Sequence, residues 1–406
     1  MGATLKEASA VTADRPVRKF QFVSGGAGAG LDARSPQSAN HGLAQQGSIA
    51  LGGSVMIGRR SLVSAALNDA ATFSSADLVE QGNTKPLIPL GIDPPDHTRY
   101  RALLEPMFSP RRMEAQEADI AQRVNRFIDT FIDRGSCDFT TEFAELFPSS
   151  VFLGLMGLPW EELDTLVQMR DGLLHPGTDE STLDEKLDIQ RRTAQSVYTY
   201  FDAVLDERIA SPRDDLLTEL THAQLDGAPV SRDDLLSICF VLLTAGLDTV
   251  TDTLTCFWAY LAQHDEQQRQ LTAEPEIIPR AVEELLRWET PVPWAVRWAR
   301  EERTVGEHVV SAGHHLLVNL GAANVDPADF PDPLTVDFDR RGNRHLAFGA
   351  GPHRCLGSHL ARRELRIALR EWHRRIPQYT LSPGYEVRYR PPLRFVPDLQ
   401  LSWARP

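Results

Sequence analysis

Apolar residues recur three and four positions apart along most of the chain between Asp93 and Gln263, the spacing of one face of an α-helix. The pattern predicts helices after Asp96 and over residues 114–134, 143–156, 161–174, 184–210, 214–224 and 231–263. Asp96 follows Pro94-Pro95 and stands where a helix cap is expected, with Tyr100, Leu103 and Leu104 turned inward. The segment from Ser231 opens with Arg232, Asp233 and Asp234 and then reads as a long apolar helix made to be buried. Two more helices are expected over 279–288, stopped by Pro291 and Pro293, and over 357–375. Period-two alternation lies nearer the ends. It predicts a strand at Ser54–Ile57 ahead of a helix over 60–71, two short strands between Val305 and Leu320 turning at Gly313, and strand-like pieces between Tyr379 and Trp403.

No internal repeat is present. Helix predominates and the strands gather toward the two ends, which makes residues 51–406 one mainly helical α+β domain. Residues 1–50 are rich in Ala, Gly and Ser with weak periodicity, and read as an atypical, flexible lead-in. Its SGGAGAG run (Ser24–Gly30) is followed by no helical apolar pattern, so a flexible connection is expected there rather than a dinucleotide loop.

The 406 residues carry 42 basic and 56 acidic side chains, a formal charge of −14, which argues against nucleic acid or an anionic membrane as partner. The 4 cysteines are far apart and form no C-x-x-C pair, so reduced thiols in the cytoplasm are expected rather than disulfides or a structural zinc. The start of the chain has no charged segment leading into an apolar core, so no secretory leader is expected. The strongest apolar run, Leu235 to Leu247, is interrupted by Ser237 and Thr244 and is shorter than the ~20 residues of a membrane span.

The chemistry concentrates at Phe348-Gly-Ala-Gly-Pro-His-Arg-Cys-Leu-Gly357, just ahead of the last long helix. A lone thiol is most often a small buried hydrophobe. Here an aromatic, three glycines, His353 and Cys355 share a loop that ends on a helix N-terminus, a setting that favours a thiolate. Gly349 and Gly351 permit a tight turn, and Gly357 lets the helix begin close behind the sulfur. The segment resembles the haem-binding loop of the cytochrome P-450 monooxygenases. That resemblance covers about residues 50–403, the matching segments come in the family's order, and it is nearest to the soluble, bacterial, camphor-hydroxylase-like class.

The resemblance implies a triangular-prism, helix-rich fold with small β-sheets and a haem b whose iron is ligated by the Cys355 thiolate, shielded by Phe348. It also implies an acid–alcohol pair at Asp248 and Thr249, in Ala245-Gly-Leu-Asp-Thr249, that carries protons to dioxygen. On its own a buried threonine more often bonds back to the carbonyl four residues before it. Glu284-Leu-Leu-Arg287 matches the family's E-x-x-R element, whose third member is expected at Arg340, in a structural role. His97 and Arg101 lie four apart on one helical face, and with Arg297 and His353 match propionate-binding positions. Ala245 and Gly357 are expected against the cofactor.

By the same resemblance the substrate pocket is lined by Val241, Leu242, Ala245, Val292, Pro293, Trp294, Phe395 and Val396, with segments 74–91 and 173–183 at its mouth. These residues are mostly apolar, which favours a small hydrophobic substrate. Arg354, Arg362, Arg363, Arg366 and Arg370, joined by Arg111 and Arg112, would form a positive face that steers an acidic ferredoxin served by an NAD(P)H-dependent reductase. The expected protein is a monomeric monooxygenase. A peroxide-driven oxygenase and a haem-based sensor are the alternatives, and the intact Asp248-Thr249 pair favours O2 over peroxide.

Overall fold

The computed structural model describes residues 20–21, 35–76, 79–178, 180–390 and 393–405. Eleven of its helices are referred to below: α1 (Pro36–Gln46), α2 (Arg60–Asn68), α3 (Asp96–Leu104), α4 (Glu117–Asp129), α5 (Leu146–Met156), α6 (Leu163–Leu174), α7 (Leu183–Ala210), α8 (Arg232–Leu261), α9 (Asp265–Ala273), α10 (Ile278–Glu289) and α11 (Ser358–Arg375).

The 30-residue α8 runs through the middle and packs against α5, α6, α7, α10 and α11. By length and composition it would cross a bilayer, but its apolar surface is covered by those neighbours, as in the core helix of a globular domain. Ser231 Oγ accepts the Asp234 N–H at 3.2 Å, and Asp233 and Asp234 suit the positive end of the helix dipole. Around its C-terminal half Phe139 stacks on Trp258 at 4.8 Å and Trp372 meets Trp258 edge-on at 5.5 Å, all three fully buried. Large rings packed this way supply much of the burial that holds α8 to α11.

A five-stranded sheet flanks the helices. Its strands are β1 (Ser48–Leu51), β2 (Ser54–Ile57), β3 (Phe73–Ser74), β4 (Trp294–Ala299) and β5 (His315–Asn319), in the order β1-β2-β5-β4-β3. β5 runs parallel to β2, with Leu316 opposite Val55, and antiparallel to β4, with Leu316 opposite Arg297. Val55, Ile57, Leu316 and Val318 bury one face against Val63 and Leu67 of α2. The sheet thereby fixes where Arg297 emerges.

Several expectations need correction. The lead-in is not devoid of structure up to residue 50: α1 and the β1–β2 hairpin begin at Pro36. Helix α1 escaped the hydrophobic pattern because its buried face is polar. Gln37 donates to the Trp288 carbonyl at 3.1 Å, and Asn40 accepts from Asn319 at 3.3 Å. The SGGAGAG run lies outside the described residues. Asp96 does not cap α3; it is the first helical residue, and the Asp93 carbonyl takes the His97 N–H at 3.0 Å. The Asp93 carboxylate instead takes the Ser75 N–H at 2.9 Å, the Ser74 hydroxyl and Arg300. Helix α9 was not anticipated, the 114–134 helix is a chain of shorter helical pieces, and the strands either side of Gly313 enter different sheets.

Candidate active site

α8, the loop 347–357, α3 and β4 enclose one cavity of about 410 Å³. Its α8 wall is made by Ile238, Val241, Leu242, Ala245, Gly246 and Thr249. Gly246 is where that wall stands back: a Cβ there would meet only the Phe152 ring, at 3.6 Å. The Thr249 hydroxyl donates to the Ala245 carbonyl at 3.1 Å and faces the cavity.

Phe348, Gly349, His353, Cys355 and Gly357 make the facing loop. The Cys355 N–H donates to the Phe348 carbonyl at 2.9 Å, which closes the turn. Gly349 and Gly351 have φ of +67° and +68°, and a Cβ on Gly351 would sit 2.2 Å from the Leu67 carbonyl oxygen. Turn and close approach together demand glycine at 351. Of the four cysteines, Cys137, Cys239 and Cys256 are buried away from this cavity, and only Cys355 opens onto it. Removal from water pushes its thiol up, opposed by the Gly357 N–H that points at the sulfur and by Arg101, Arg354 and Arg362. A cation at the sulfur would complete that opposition.

Four basic side chains converge at one edge. His97 and Arg101 come from α3, Arg297 from β4, and His353 from the loop. The two imidazoles lie 4.1 Å apart. His97 Nδ1 and His353 Nε2 are buried without a hydrogen-bond partner. Burial, then Arg101, depresses His97 to about 4; burial, then Arg297 and His97, depresses His353 to about 3. Arg297 is lowered to about 10 by burial. Of the two nearby acids, Asp93 is engaged by Ser74, Ser75 and Arg300, and Glu105 pairs with Arg101 at 2.9 Å. Two guanidinium groups beside two buried imidazoles with unmatched ring nitrogens fit an anionic group brought in from outside. Among the described residues no three His, Cys, Asp or Glu side chains are grouped to hold a metal ion. A metal held by the single sulfur of Cys355 would need its remaining ligands from a cofactor. A flat dicarboxylate whose metal needs one protein sulfur fits both the donors and the space over Gly357, where a Cβ would meet nothing within 4 Å.

The loop is held from behind by α10. Arg287 donates to both oxygens of Glu284 at 2.8 Å and to the carbonyls of Asn324, Pro333 and Thr335. Arg340 reaches Glu284 at 3.1 Å, so the three residues expected as a network do meet, essentially dry. Sequence reasoning missed the neighbouring Glu283. It accepts from Arg362 at 2.8 Å and contacts His345 at 3.0 Å, and Arg362 lies 4.3 Å over the Phe348 ring. Burial would raise the Glu283 carboxyl, but His345 and Arg362 outweigh it and hold the group down at about 2.

Other expected residues are placed elsewhere. Asp248 is not on the cavity wall; it is buried on the far side of α8, 3.0 Å from His175 Nε2. Val292 lines the cavity, whereas Pro293, Trp294, Phe395 and Val396 do not. The Val396 backbone is tied to Thr140 and Thr255, and Phe395 packs against the His175 ring at 5.5 Å. Ser75, Ile88, Pro89 and Leu90 of the 74–91 segment reach the cavity, and none of the described residues of 173–183 does. Most of the anticipated basic face is neutralised: Arg362 and Arg366 pair with Glu283, Arg363 with Glu117, Arg370 with Glu371 and Arg112 with Glu219.

Comparison with known proteins agrees with this geometry. A family model described as Cytochrome P450 matches residues 161–372. The probable cytochrome P450 127A1 of Sinorhizobium fredii is 37% identical over 78% of this chain and 75% of its own length. Mycinamicin IV hydroxylase/epoxidase of Micromonospora griseorubida is 34% identical over the same shares, 78% and 75%. Among solved structures, CYP109E1 from Bacillus megaterium in complex with testosterone superposes with a TM-score of 0.83 at 26% identity, covering 91% of this chain and 98% of that one. A cavity with one thiol, a cationic edge and an apolar wall thus sits in the fold and sequence where such enzymes hold haem b by a cysteine thiolate, and the chain belongs to the cytochrome P450 family of monooxygenases.

Proposed function

We propose that Cys355 would ligate the iron of a haem, that His97, Arg101, Arg297 and His353 would hold its propionates, and that Thr249 and Asp248 manage protons from α8. The convergence of four basic side chains and one thiol on a single cavity, with His97 Nδ1 and His353 Nε2 buried and unpartnered, carries this reading. A bound haem would supply the activation of O2, one atom of which enters the substrate while the other leaves as water with two electrons and two protons. The chain's part is electrostatics, exclusion of water and orientation. The Gly357 N–H steadies the sulfur's charge, and Phe348, clamped beneath Arg362, screens it from water. Thr249 offers a hydroxyl at the wall, within one residue of the buried Asp248 carboxylate. That pair favours O2 over a peroxide-driven reaction and over a sensor, because neither of those consumes protons drawn from the protein.

The substrate in this reading is small, neutral and hydrophobic. Val241, Leu242, Ala245, Ile88, Leu90 and Val292 offer apolar contact, and the cations lining the cavity belong to the edge assigned to the propionates or, as Arg354, adjoin the ligand. The testosterone complex of CYP109E1 is a relative with a neutral apolar ligand. Electrons come from an NAD(P)H-dependent reductase through a ferredoxin that docks near Arg354 and Arg111, both exposed. The unpaired thiols suit the cytoplasm.

Reduction under carbon monoxide tests the assignment. The wild type should give the red-shifted Soret band of a thiolate-ligated haem, and Cys355→Ala should lose it. A band retained by that variant overturns the assignment. A library screen for the ferric spin-state shift, followed by NAD(P)H-coupled product formation, then identifies the substrate. Spectral binding without turnover would favour a sensor.

A further inference from the structure

The acid expected to serve the cavity turns away from it. Asp248 is buried on the side of α8 that meets α6, and its carboxylate lies 3.0 and 3.2 Å from Nε2 of His175, the residue that ends α6. The two partners differ sharply in exposure: the Asp248 side chain is 5% accessible and that of His175 37%. One end of the pair therefore touches solvent, while the other belongs to the residue just before Thr249 in α8 and would reach the cavity side by turning its carboxylate across that helix. The Phe395 ring, 5.5 Å from the imidazole, gives that side an apolar cover. We propose that His175 is the solvent-side member of a proton route through Asp248 to the Thr249 face of the cavity, and that it renews the proton Asp248 gives up.

The step balances simply. The imidazolium passes its Nε2 proton to the Asp248 carboxylate, that proton moves on to the cavity, and the neutral imidazole takes another from water. Every charged group facing the pair bears on it. Asp248 faces His175, Arg170 and Asp252; His175 faces Asp248, Arg170 and Asp171; Glu145 adjoins both. Burial would lower the His175 pKa, but the Asp248 charge and hydrogen bond outweigh it and raise the group above 6.5. Burial likewise works to raise Asp248, and His175 followed by Arg170 brings it down. Asp252, one turn on, has both carboxylate oxygens buried without a partner and is pushed strongly up by burial and by Asp248. Being harder to ionise than Asp248, it competes less for the imidazolium. An imidazole whose pKa is raised by a carboxylate holds a proton more readily and can still let it go, which a permanently charged arginine cannot.

The proposal rests on reading Asp248 and Thr249 as the proton-handling pair, and the experiment keeps the two apart. Histidine-labelled holoenzyme in the ferrous carbon monoxide form is titrated by NMR, and substrate-free O2 reduction is followed with a surrogate ferredoxin and reductase, scoring peroxide against water. His175 should titrate above 6.5 and move down in Asp248→Asn. Wild-type O2 reduction should slow as pH rises through that titration. His175→Gln, which keeps a donor but cannot titrate, should lose this limb and run about tenfold slower, at the low end of what a positioned acid contributes. His175→Lys should restore rate but shift the limb upward. If His175→Gln keeps the wild-type rate and pH profile while Thr249→Ala diverts O2 to peroxide, the proposal is wrong and the underlying reading stands. If Thr249→Ala forms no more peroxide than wild type, that reading falls and takes the proposal with it.

Discussion

The wall that carries Cys355 and the wall that α8 presents to it differ in how many interactions fix them. Behind the loop, Glu283 and Glu284 tie α10 to Arg340, Arg362 and His345, Arg287 of the same helix holds Glu284, and Leu346 N–H is pinned to Asn324 at 2.6 Å. On α8 the hydroxyls of Thr244, Thr249 and Thr253 bond only to carbonyls of their own helix, and Ala245 and Gly246 present little or no side chain. A metal ligand tolerates little displacement, so its loop is over-determined. The opposite wall must leave room for molecules the chain does not own, and its fixed contacts are placed on the far side, at Asp248.

The largest expected effect lies in the network behind the loop. Glu284→Ala leaves Arg287 and Arg340 buried without their shared carboxylate, and breaking such a pair costs about 3–5 kcal/mol. The variant should accumulate as poorly folded protein with little haem, seen as a fall in melting temperature and in the ratio of Soret to protein absorbance. Val241→Ala, on the other wall, should lose only about 1–2 kcal/mol and keep its haem. Equal losses would erase the contrast.

Gly351 and Gly349 sharpen it further. Both have positive φ, but only at 351 would a Cβ strike backbone, at 2.2 Å from the Leu67 oxygen. Gly349→Ala should cost only left-handed strain, about 1 kcal/mol. Gly351→Ala adds displacement of the loop from α2 and should lower haem occupancy as well as stability. Denaturant unfolding of both variants, with haem content measured alongside, checks this.

A smaller effect appears in acid. The Glu283 carboxyl is held near 2 in the folded chain against an ordinary 4.5, because His345 and Arg362 outweigh its burial. Its folded value is depressed, so its contribution is complete above 4.5 and disappears as pH falls through about 2. By linkage that contribution is ~3 kcal/mol. Glu283→Gln should be less stable than wild type at pH 6, with the gap closing on acidification. A gap independent of pH would show that Glu283 acts by packing alone.

Legibility followed the same division. The Cys355 loop, the E-x-x-R pair and the helices from α3 to α8 were readable because each couples a local pattern to a backbone demand: glycines where φ is positive, apolar periodicity where a face is buried. Arg340 was placed correctly from 56 residues away only through resemblance to a family. What failed depends on long-range polar contacts that leave no periodic trace. Helix α1 buries Gln37 and Asn40 rather than leucines, and Asp248 turns toward His175, 73 positions earlier, because a partner stands there. The basic stripe on α11 misled for the mirror-image reason: arginines at helical spacing reveal nothing of Glu283 and Glu117 opposite them.

That last point sets the smallest prediction. Arg354 and Arg111 are exposed and pair with no acidic side chain among the described residues, whereas Arg363 already faces Glu117 and Glu114. An exposed, unpaired cation contributes to the field a docking partner meets; a paired one largely does not. Reversing both Arg354 and Arg111 to Glu should slow electron delivery from an acidic ferredoxin about three- to tenfold at low salt, through the association rate, with the difference shrinking as ionic strength shortens the ~10 Å screening length. Arg363→Glu should change that rate less than twofold and instead loosen α11 from α4. Stopped-flow reduction across a salt series separates the two. A larger effect from Arg363 than from the Arg354–Arg111 pair would mean that the partner docks over the buttressed stripe, and that those ion pairs open when it binds.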